Sequence, residues 1–551
     1  MKRIIIKEAT KGMIITWVSL VLILIGILFR FSNYLFNRSL WTDEAWVALD
    51  IFTRTYKEIF LNDISHVSLP AIPPVGFLLI EKLLVNILGN NEYVLRLFPF
   101  LCGVLGVVLY WILLKKWTGQ IATVIALSFF VFAESLIHYS AECKQYSVEM
   151  FIGIVLYLVA IYFHAKPANL LRILIFTLVG MIAMFISHTA IFILGGIGIA
   201  QTIFLFKGNE DKRTIGYLLT YFLWVLGFVL IYFVYLREMV DPALPMGSYV
   251  INGSVIDFIP SGNIFSLGAM QWLWKISSDA FQNPFGLSPV LLSMGMCILG
   301  AIEVFKLDKK KFLMLFMPVV LTIIIAILRK FPFWGRFILF LTPAALFFIA
   351  YGISMVIRRG KIGLVLGIMI FCVLIEQPLK NAIFYEINPQ GYEEMRPLMG
   401  VLFKDQFFGD SIFMNNSAQY AYGYYLKYFH YDHSPYKEGY FFDFTEHDRI
   451  SLILNTNITD SQGRIYIKTH VYRKKGILKE GSFRFKKRTW LILTHLYDQE
   501  TEQFIKDCFD DRGKMLLAFK SPGASLYLYV LNEPLAPIQE AIINYKLLSS
   551  K

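Results

Sequence analysis

Apolar positions along this chain do not alternate, and they do not recur as a narrow helical stripe. They run in long blocks separated by short polar or cationic stretches. A bilayer core about 30 Å thick needs roughly 20 apolar residues at 1.5 Å rise each. Blocks of that kind cover 13–29, 93–114, 120–138, 147–163, 170–187, 190–206, 214–236, 286–305, 312–328, 337–357 and 362–377. The pattern therefore predicts about eleven transmembrane helices. The first block is followed by Arg30-Phe31-Ser32-Asn33-Tyr34 rather than a small-residue cleavage site, so it reads as an anchor. A twelfth run, 74–88, is interrupted by Glu81, Lys82 and Asn86. Each charge at a span centre costs about 2.5–3.5 kcal/mol on insertion scales. Lys82 and Asn86 share one helix face, so this run suits a helix lying in the interface.

Loop charge decides the parity independently. With 74–88 outside the count of crossings, Lys115-Lys116, Lys207 to Arg213, Lys306 to Lys311 and Arg358 to Lys361 all fall on one side. The positive-inside rule makes that side cytoplasmic. The N-terminus is then expected inside, and the chain in the cytoplasmic (inner) membrane.

Composition agrees with a bilayer as solvent: 56% of residues are hydrophobic and only 17% charged, against about a quarter charged in soluble proteins. Disorder, collagen and coiled coil are excluded. The net charge of +12 belongs to cytoplasmic loops, and no nucleic-acid partner is expected. The five cysteines are scattered without a C-x-x-C spacing, so neither a disulfide framework nor a zinc ribbon is indicated. From about 379 to 551 the character changes. Short strand-like runs at 411–414, 464–468, 489–494, 515–519 and 525–530 flank an amphipathic helix over 500–509. The expected organisation is a membrane domain, 1–378, and an extracytoplasmic α/β domain, 379–551. No internal repeat or G-x-G-x-x-G is present.

Charges that the positive-inside rule leaves unexplained gather on the outer side. Leu40-Trp41-Thr42-Asp43-Glu44-Ala45-Trp46 follows the first span closely. Adjacent carboxylates near the headgroups offer a general base, a role that typically contributes 10²–10⁴ in rate. The alternative is that Asp43 or Glu44 caps the following helix. After the third span comes His138-Tyr139-Ser140-Ala141-Glu142-Cys143-Lys144-Gln145-Tyr146, where Glu142 and Tyr146 share a helical face. Lys144 there is either a functional cation or a snorkelling one paired with Glu142. Arg336, in Trp334-Gly335-Arg336, is suited to a bidentate phosphate contact or to anchoring a helix end. Arg96 sits just inside the second span, and His188 lies in the turn between the fifth and sixth.

A carboxylate pair and several cations at one membrane face suit transfer of a sugar from a polyprenyl phosphate. Cations stabilise charge accumulating on the leaving phosphate, while a carboxylate deprotonates the acceptor hydroxyl. At these residues the chain resembles the membrane-embedded GT-C glycosyltransferases, and most of all the bacterial family 39 group. That group includes relatives of protein O-mannosyltransferases and of the aminoarabinose lipid A transferase. The matching stretches are Leu40-Trp41-Thr42-Asp43-Glu44, Pro73-Pro74, and Gly89-Asn90-Asn91-Glu92-Tyr93-Val94-Leu95-Arg96-Leu97. To these are added Tyr139-Ser140-Ala141-Glu142-Cys143-Lys144-Gln145-Tyr146, Ser187-His188-Thr189 and Gly335-Arg336-Phe337.

The resemblance implies a GT-C fold with interfacial helices in the first outer loop and an inverting transferase. Asp43 is the implied base, with Glu44 and Glu142 as its acidic companions. Lys144, Arg336 and Arg96 are the phosphate contacts, and Tyr146 and His188 line the substrate pocket. Some relatives hold a divalent metal; Asp43, Glu44 and Glu142 are oxygen ligands for one here, without a diagnostic spacing. Lys144 replaces the family's usual Arg and Phe337 its Tyr, which bears on donor identity. The acceptor is an envelope glycan, lipid or protein. The competing reading is a lipid or solute transporter or flippase. Transporters, however, place ionisable groups near the midplane on broken helices.

Overall fold

A computed structural model describes residues 2–61, 73–164, 169–205, 211–236, 250–251, 254–255, 266–389, 391–407, 410–415, 417–428, 450–459, 465–473, 488–494, 499–511 and 513–532. All eleven apolar blocks are helical within that set. Eight helices are long and apolar enough to cross a membrane. The pair Gln120–Phe132 and Glu134–Ala141, bent by 60° at Ala133, is a broken span or a re-entrant loop, which makes eight or nine crossings by length and composition among the described residues. The remaining two, Leu170–Ile186 and Ala190–Phe204, are shorter. The cationic loop around Lys207 lies partly outside the described residues, as does the start of the strand run at 464.

Helix α1 (Lys2–Phe36) leads through a short extended stretch to α2 (Thr42–Thr53), then α3 (Tyr56–Phe60) and α4 (Val75–Leu88). The 74–88 run is thus a separate 14-residue helix, too short to span a bilayer at 1.5 Å per residue. Lys82 satisfies the carbonyl of Ile51 at 2.9 Å, and Asn86 bonds the Tyr56 hydroxyl at 2.9 Å. Both side chains therefore tie α4 to the α2–α3 segment.

The helical core closes tightly where small residues meet. Helices Val290–Leu307 and Thr342–Ile357 cross with backbone in contact: a Cβ on Gly300 would lie 1.8 Å from the Phe348 carbonyl, and one on Gly352 2.1 Å from that of Met296. Small-residue crossings of this kind let helices gain van der Waals contact in lipid, where no hydrophobic force draws them together. The last apolar helix was expected to end at 377 but runs from Gly360 to Ile387. An amphipathic helix, Leu267–Gln282, was not anticipated.

After that last helix the chain forms an α/β unit. A two-stranded hairpin, β1 (Val250–Ile251) and β2 (Ser254–Val255), lies within the helical part. The C-terminal sheet comprises β3 (Ser411–Asn415), β4 (Ile450–Thr459), β5 (Ile465–Arg473), β6 (Arg488–Thr494), β7 (Gly513–Ser521) and β8 (Ala524–Leu531), in the order β5-β4-β3-β6-β8-β7. Strand β3 is parallel to both β4 and β6, and the remaining pairs are antiparallel. Helix Gln499–Asp510 packs Ile505 and Phe509 onto Phe413 and Tyr529 of the sheet. Helix Ala418–Tyr428 buries Tyr420, Tyr422, Tyr424 and Tyr425.

Candidate active site

The sequence folds the first loop sharply because Asn37 takes a left-handed conformation (φ 46°), one that Asn tolerates better than most residues. The turn brings α2 back across the ends of the helices, with Asp43 and Glu44 in its first turn, where the helix dipole favours anions. Neither Asp43 nor Glu44 caps α2: both lie inside its first turn, and the N-cap position is Trp41. The Thr42 amide at the start of α2 donates to Glu393 of the C-terminal unit at 2.9 Å.

Glu44 turns inward. It is fully buried and forms a two-armed pair with Arg96, Nε to Oε1 at 2.9 Å and Nη2 to Oε2 at 2.7 Å. Its Oε1 also accepts the Cys143 amide at 2.7 Å. Arg96 spends its other hydrogens on the carbonyls of Arg38 (2.7 Å) and Ser39 (3.3 Å). Read from sequence, Glu44 belongs with the catalytic carboxylates and Arg96 with the phosphate contacts. The structure commits each to the other, because both sit in a dry layer where an unpaired charge is costly. Their geometry pins three chain segments together: 38–44, Arg96 and the 142–144 turn.

Asp43 points the other way. Its carboxylate meets Arg336 in a salt bridge at 2.5 Å, with side chains 26% and 13% exposed. Arg336 enters from Gly335–Leu341, whose first residue has φ +46° and turns the chain into the helix. The guanidinium lies 5.3 Å from the Trp41 ring centre, 5.5 Å from that of Tyr146 and 5.7 Å from that of Phe337. This aromatic cradle favours a planar cation. Tyr146 stacks edge-on against Tyr139 and Phe337.

Lys144 is 5% exposed and sits 5.6 Å from the Trp46 ring centre. Burial pulls its ammonium down, and Asp43 works against that pull while Arg336 adds to it. Glu142 is fully buried and accepts from His138 Nε2 at 2.8 Å, with Arg38 Nη2 at 3.4 Å. Burial would raise its carboxyl, but His138, Arg38 and Arg336 together hold it down at about 2. Its Oε2 has no hydrogen-bond partner among the described residues.

Sequence positions 43, 142, 144, 146 and 336 thus converge. His188 lies a layer away: its backbone amide and that of Thr189 are held by Glu149 at the start of helix Tyr146–His164. The sequence reading gave Arg38 and His138 no role, although both tie down Glu142. Arg38 stands beyond the first span, on the side where the positive-inside rule places few cations. By the same rule it is as conspicuous in the sequence as Arg96. Glu81 is a further buried carboxyl without a partner among the described residues, and burial raises it well above the usual range.

The three candidate metal ligands do not fit an ion. Asp43 and Glu44 each face an arginine, and Glu142 faces His138 and Arg38. No group of three His, Cys, Asp or Glu among the described residues is arranged to hold one.

No family model matches this chain, and no curated protein does. Solved structures do. ArnT from Cupriavidus metallidurans bound to undecaprenyl phosphate superposes with a TM-score of 0.50 at 11% identity, over 94% of this chain and 98% of that one. The same protein in the apo state gives 0.49 at 11%, over 95% and 98%. The archaeal oligosaccharyltransferase AglB from Archaeoglobus fulgidus, in complex with an inhibitory peptide and a dolichol-phosphate, gives 0.44 at 11%, over 74% and 63%. The likeness to ArnT extends over nearly the full length of both chains. The fold shared with ArnT is a multi-pass bundle of apolar helices followed by a C-terminal sheet domain, the architecture expected from the apolar blocks.

Proposed function

We propose that this protein is a membrane glycosyltransferase that moves a sugar from a polyprenyl-phosphate donor to a hydroxyl of an envelope glycan, lipid or protein. One observation carries the reading. A partly exposed aspartate, its arginine partner and a buried lysine from three distant chain segments share one site at the end of a helical bundle. The fold adds support, because ArnT in the superposed structure binds undecaprenyl phosphate. By loop charge, that end faces the outside of the inner membrane.

In this reading Asp43 takes the proton from the acceptor hydroxyl as its oxygen attacks the anomeric carbon. The bond from that carbon to the phosphate oxygen breaks on the opposite face, and polyprenyl phosphate leaves with the electron pair. Inversion follows from the single displacement. Arg336 and Lys144 hold the phosphate and stabilise its growing charge, worth most where water is excluded. Donor phosphate and Asp43 compete for Arg336, so donor binding loosens the ion pair and frees the base for the acceptor. Glu142 steadies the turn bearing Lys144, and Tyr146 shapes the cradle. Every step uses side chains of this chain alone.

The test is purified protein in lipid nanodiscs with a panel of polyprenyl-phosphate sugars, wild type against Asp43→Asn. Transfer by wild type and its loss in the variant are expected. Undiminished transfer by Asp43→Asn removes the base assignment, and no turnover with any donor favours the transporter reading.

A further inference from the structure

Six consecutive residues, 37–42, carry the chain from the first helix to Asp43, and every one of them meets the C-terminal domain. Arg396 donates to the carbonyls of Asn37 (2.9 Å) and Arg38 (3.4 Å). The Glu394 carboxylate accepts from the amide (3.2 Å) and hydroxyl (2.6 Å) of Ser39. The Tyr425 hydroxyl accepts the Leu40 amide at 2.7 Å. The Trp41 ring lies 5.7 Å from that of Tyr392, centre to centre. Glu393 accepts from the amide (2.9 Å) and hydroxyl (2.8 Å) of Thr42. The N-cap residue of α2, Trp41, supplies no side-chain capping bond. The helix's first amide, that of Thr42, is thus satisfied from another domain.

The holding residues are themselves held. Arg396 and Tyr425 both donate to Glu92, at 2.9 Å each. The turn between β7 and β8 presses on them from behind. The Glu394 amide donates to the Pro522 carbonyl at 2.8 Å, and the Ser521 hydroxyl donates to the Glu394 carbonyl at 2.6 Å. Gly523 in that turn has φ +65°, and a Cβ there would lie 1.7 Å from the Tyr392 carbonyl. A sheet turn thus backs the short segment that caps the helix bearing the base.

We infer that residues 392–396 and Tyr425 form a positioning clamp, through which the C-terminal domain sets where the Asp43 carboxylate stands relative to the donor. This rests on the reading of Asp43 as the base. A displacement of about 1 Å in a reacting group can cost 10² in rate, and α2 is a short helix whose start is held by these contacts together with the Glu44–Arg96 and Asp43–Arg336 pairs. The domain is therefore part of the catalytic geometry. Glu393, Glu394 and Tyr425 touch no reacting atom; they act through 39–42.

The experiment uses the full-length protein in nanodiscs with whichever polyprenyl-phosphate sugar the wild type turns over. Glu393→Ala, Tyr425→Phe and Gly523→Ala are compared with Glu393→Gln, which keeps an oxygen acceptor for Thr42. Expected are a fall of at least about tenfold in kcat for Glu393→Ala, donor KM within about threefold, and faster amide hydrogen exchange confined to 39–46. Glu393→Gln recovers at least half of the lost kcat. Unchanged kcat in Glu393→Ala, or unchanged exchange at 39–46, overturns the clamp. Should Glu393→Ala or Gly523→Ala fail to fold, Tyr425→Phe gives the same two readouts with one oxygen removed. Wild-type protein inert toward every donor overturns the transferase reading instead. Exchange at 39–46 in the variants then still decides whether the domain holds this segment.

Discussion

Two acid–arginine pairs stand back to back, their acids neighbours in sequence. Glu44–Arg96 is dry, two-armed and shared with three backbone groups; Asp43–Arg336 is partly open and lined by aromatic rings. The residue types are the same, so type does not tell the scaffold from the site. Exposure and saturation do. Glu44 has no oxygen left for a substrate and Arg96 no hydrogens pointing at solvent, so recruiting either would strand the other in a dry layer. Asp43 and Arg336 can part and be rewetted.

The sharpest way to break that contrast is to neutralise each acid in turn. Asp43→Asn should lower transfer by about 10²–10⁴ while thermal stability stays within about 1 kcal/mol, as for partly exposed pairs. Transfer assays beside melting curves in detergent separate the two. Glu44→Gln should do the reverse, destabilising the protein by about 3–5 kcal/mol because Arg96 is left buried and unpaired. Molecules that remain folded should keep much of their activity. If both variants lose rate and stability in equal measure, the division between scaffold and site is wrong.

Much of this contrast was legible in the sequence, and the illegible part has a physical reason. All eleven apolar blocks are helical, but eight of them, or nine with the bent pair, are long enough to cross a bilayer among the described residues, since an apolar run marks a buried helix whether or not it spans. The cluster at 142–146, Asp43 and Arg336 stood out as charges on the side where loop-charge rules place few. The partner of each charge was not readable, because Glu44 and Asp43 are adjacent and only the turn of α2 sends one inward and the other outward. The clamp was invisible for the same reason. Glu393 lies 351 residues from Thr42, and a loop carboxylate there looks like any solvated one.

A third test concerns Glu142, which belongs to the scaffold by its partners and to the site by its position. Its folded carboxyl is held down at about 2, below the unfolded value near 4.3. A depressed carboxyl contributes stability that is complete above the unfolded value and is lost as pH falls toward the folded one. The linkage amounts to about 3 kcal/mol. Stability should therefore drop between about pH 4.3 and pH 2, and in Glu142→Gln this part of the drop should vanish. Melting midpoints against pH, wild type beside the variant, measure it.

The smallest expected effect tests which property of the cations matters. Arg336 sits in a cradle of three rings that matches a planar fork, so Arg336→Lys should cost about tenfold in donor kcat/KM, roughly 1.4 kcal/mol of lost stacking and bidentate contact. Lys144 touches one ring, Trp46, and makes no ion pair among the described residues. It acts as a point charge, so Lys144→Arg keeps the charge and should change donor kcat/KM by less than about threefold, whereas Lys144→Met should cost about tenfold. A Lys144→Arg variant as damaged as Lys144→Met would mean that the space beside Trp46, and not the charge, is what the donor reads. Kinetics with donors differing only in the sugar would then show the loss falling on one sugar and not another.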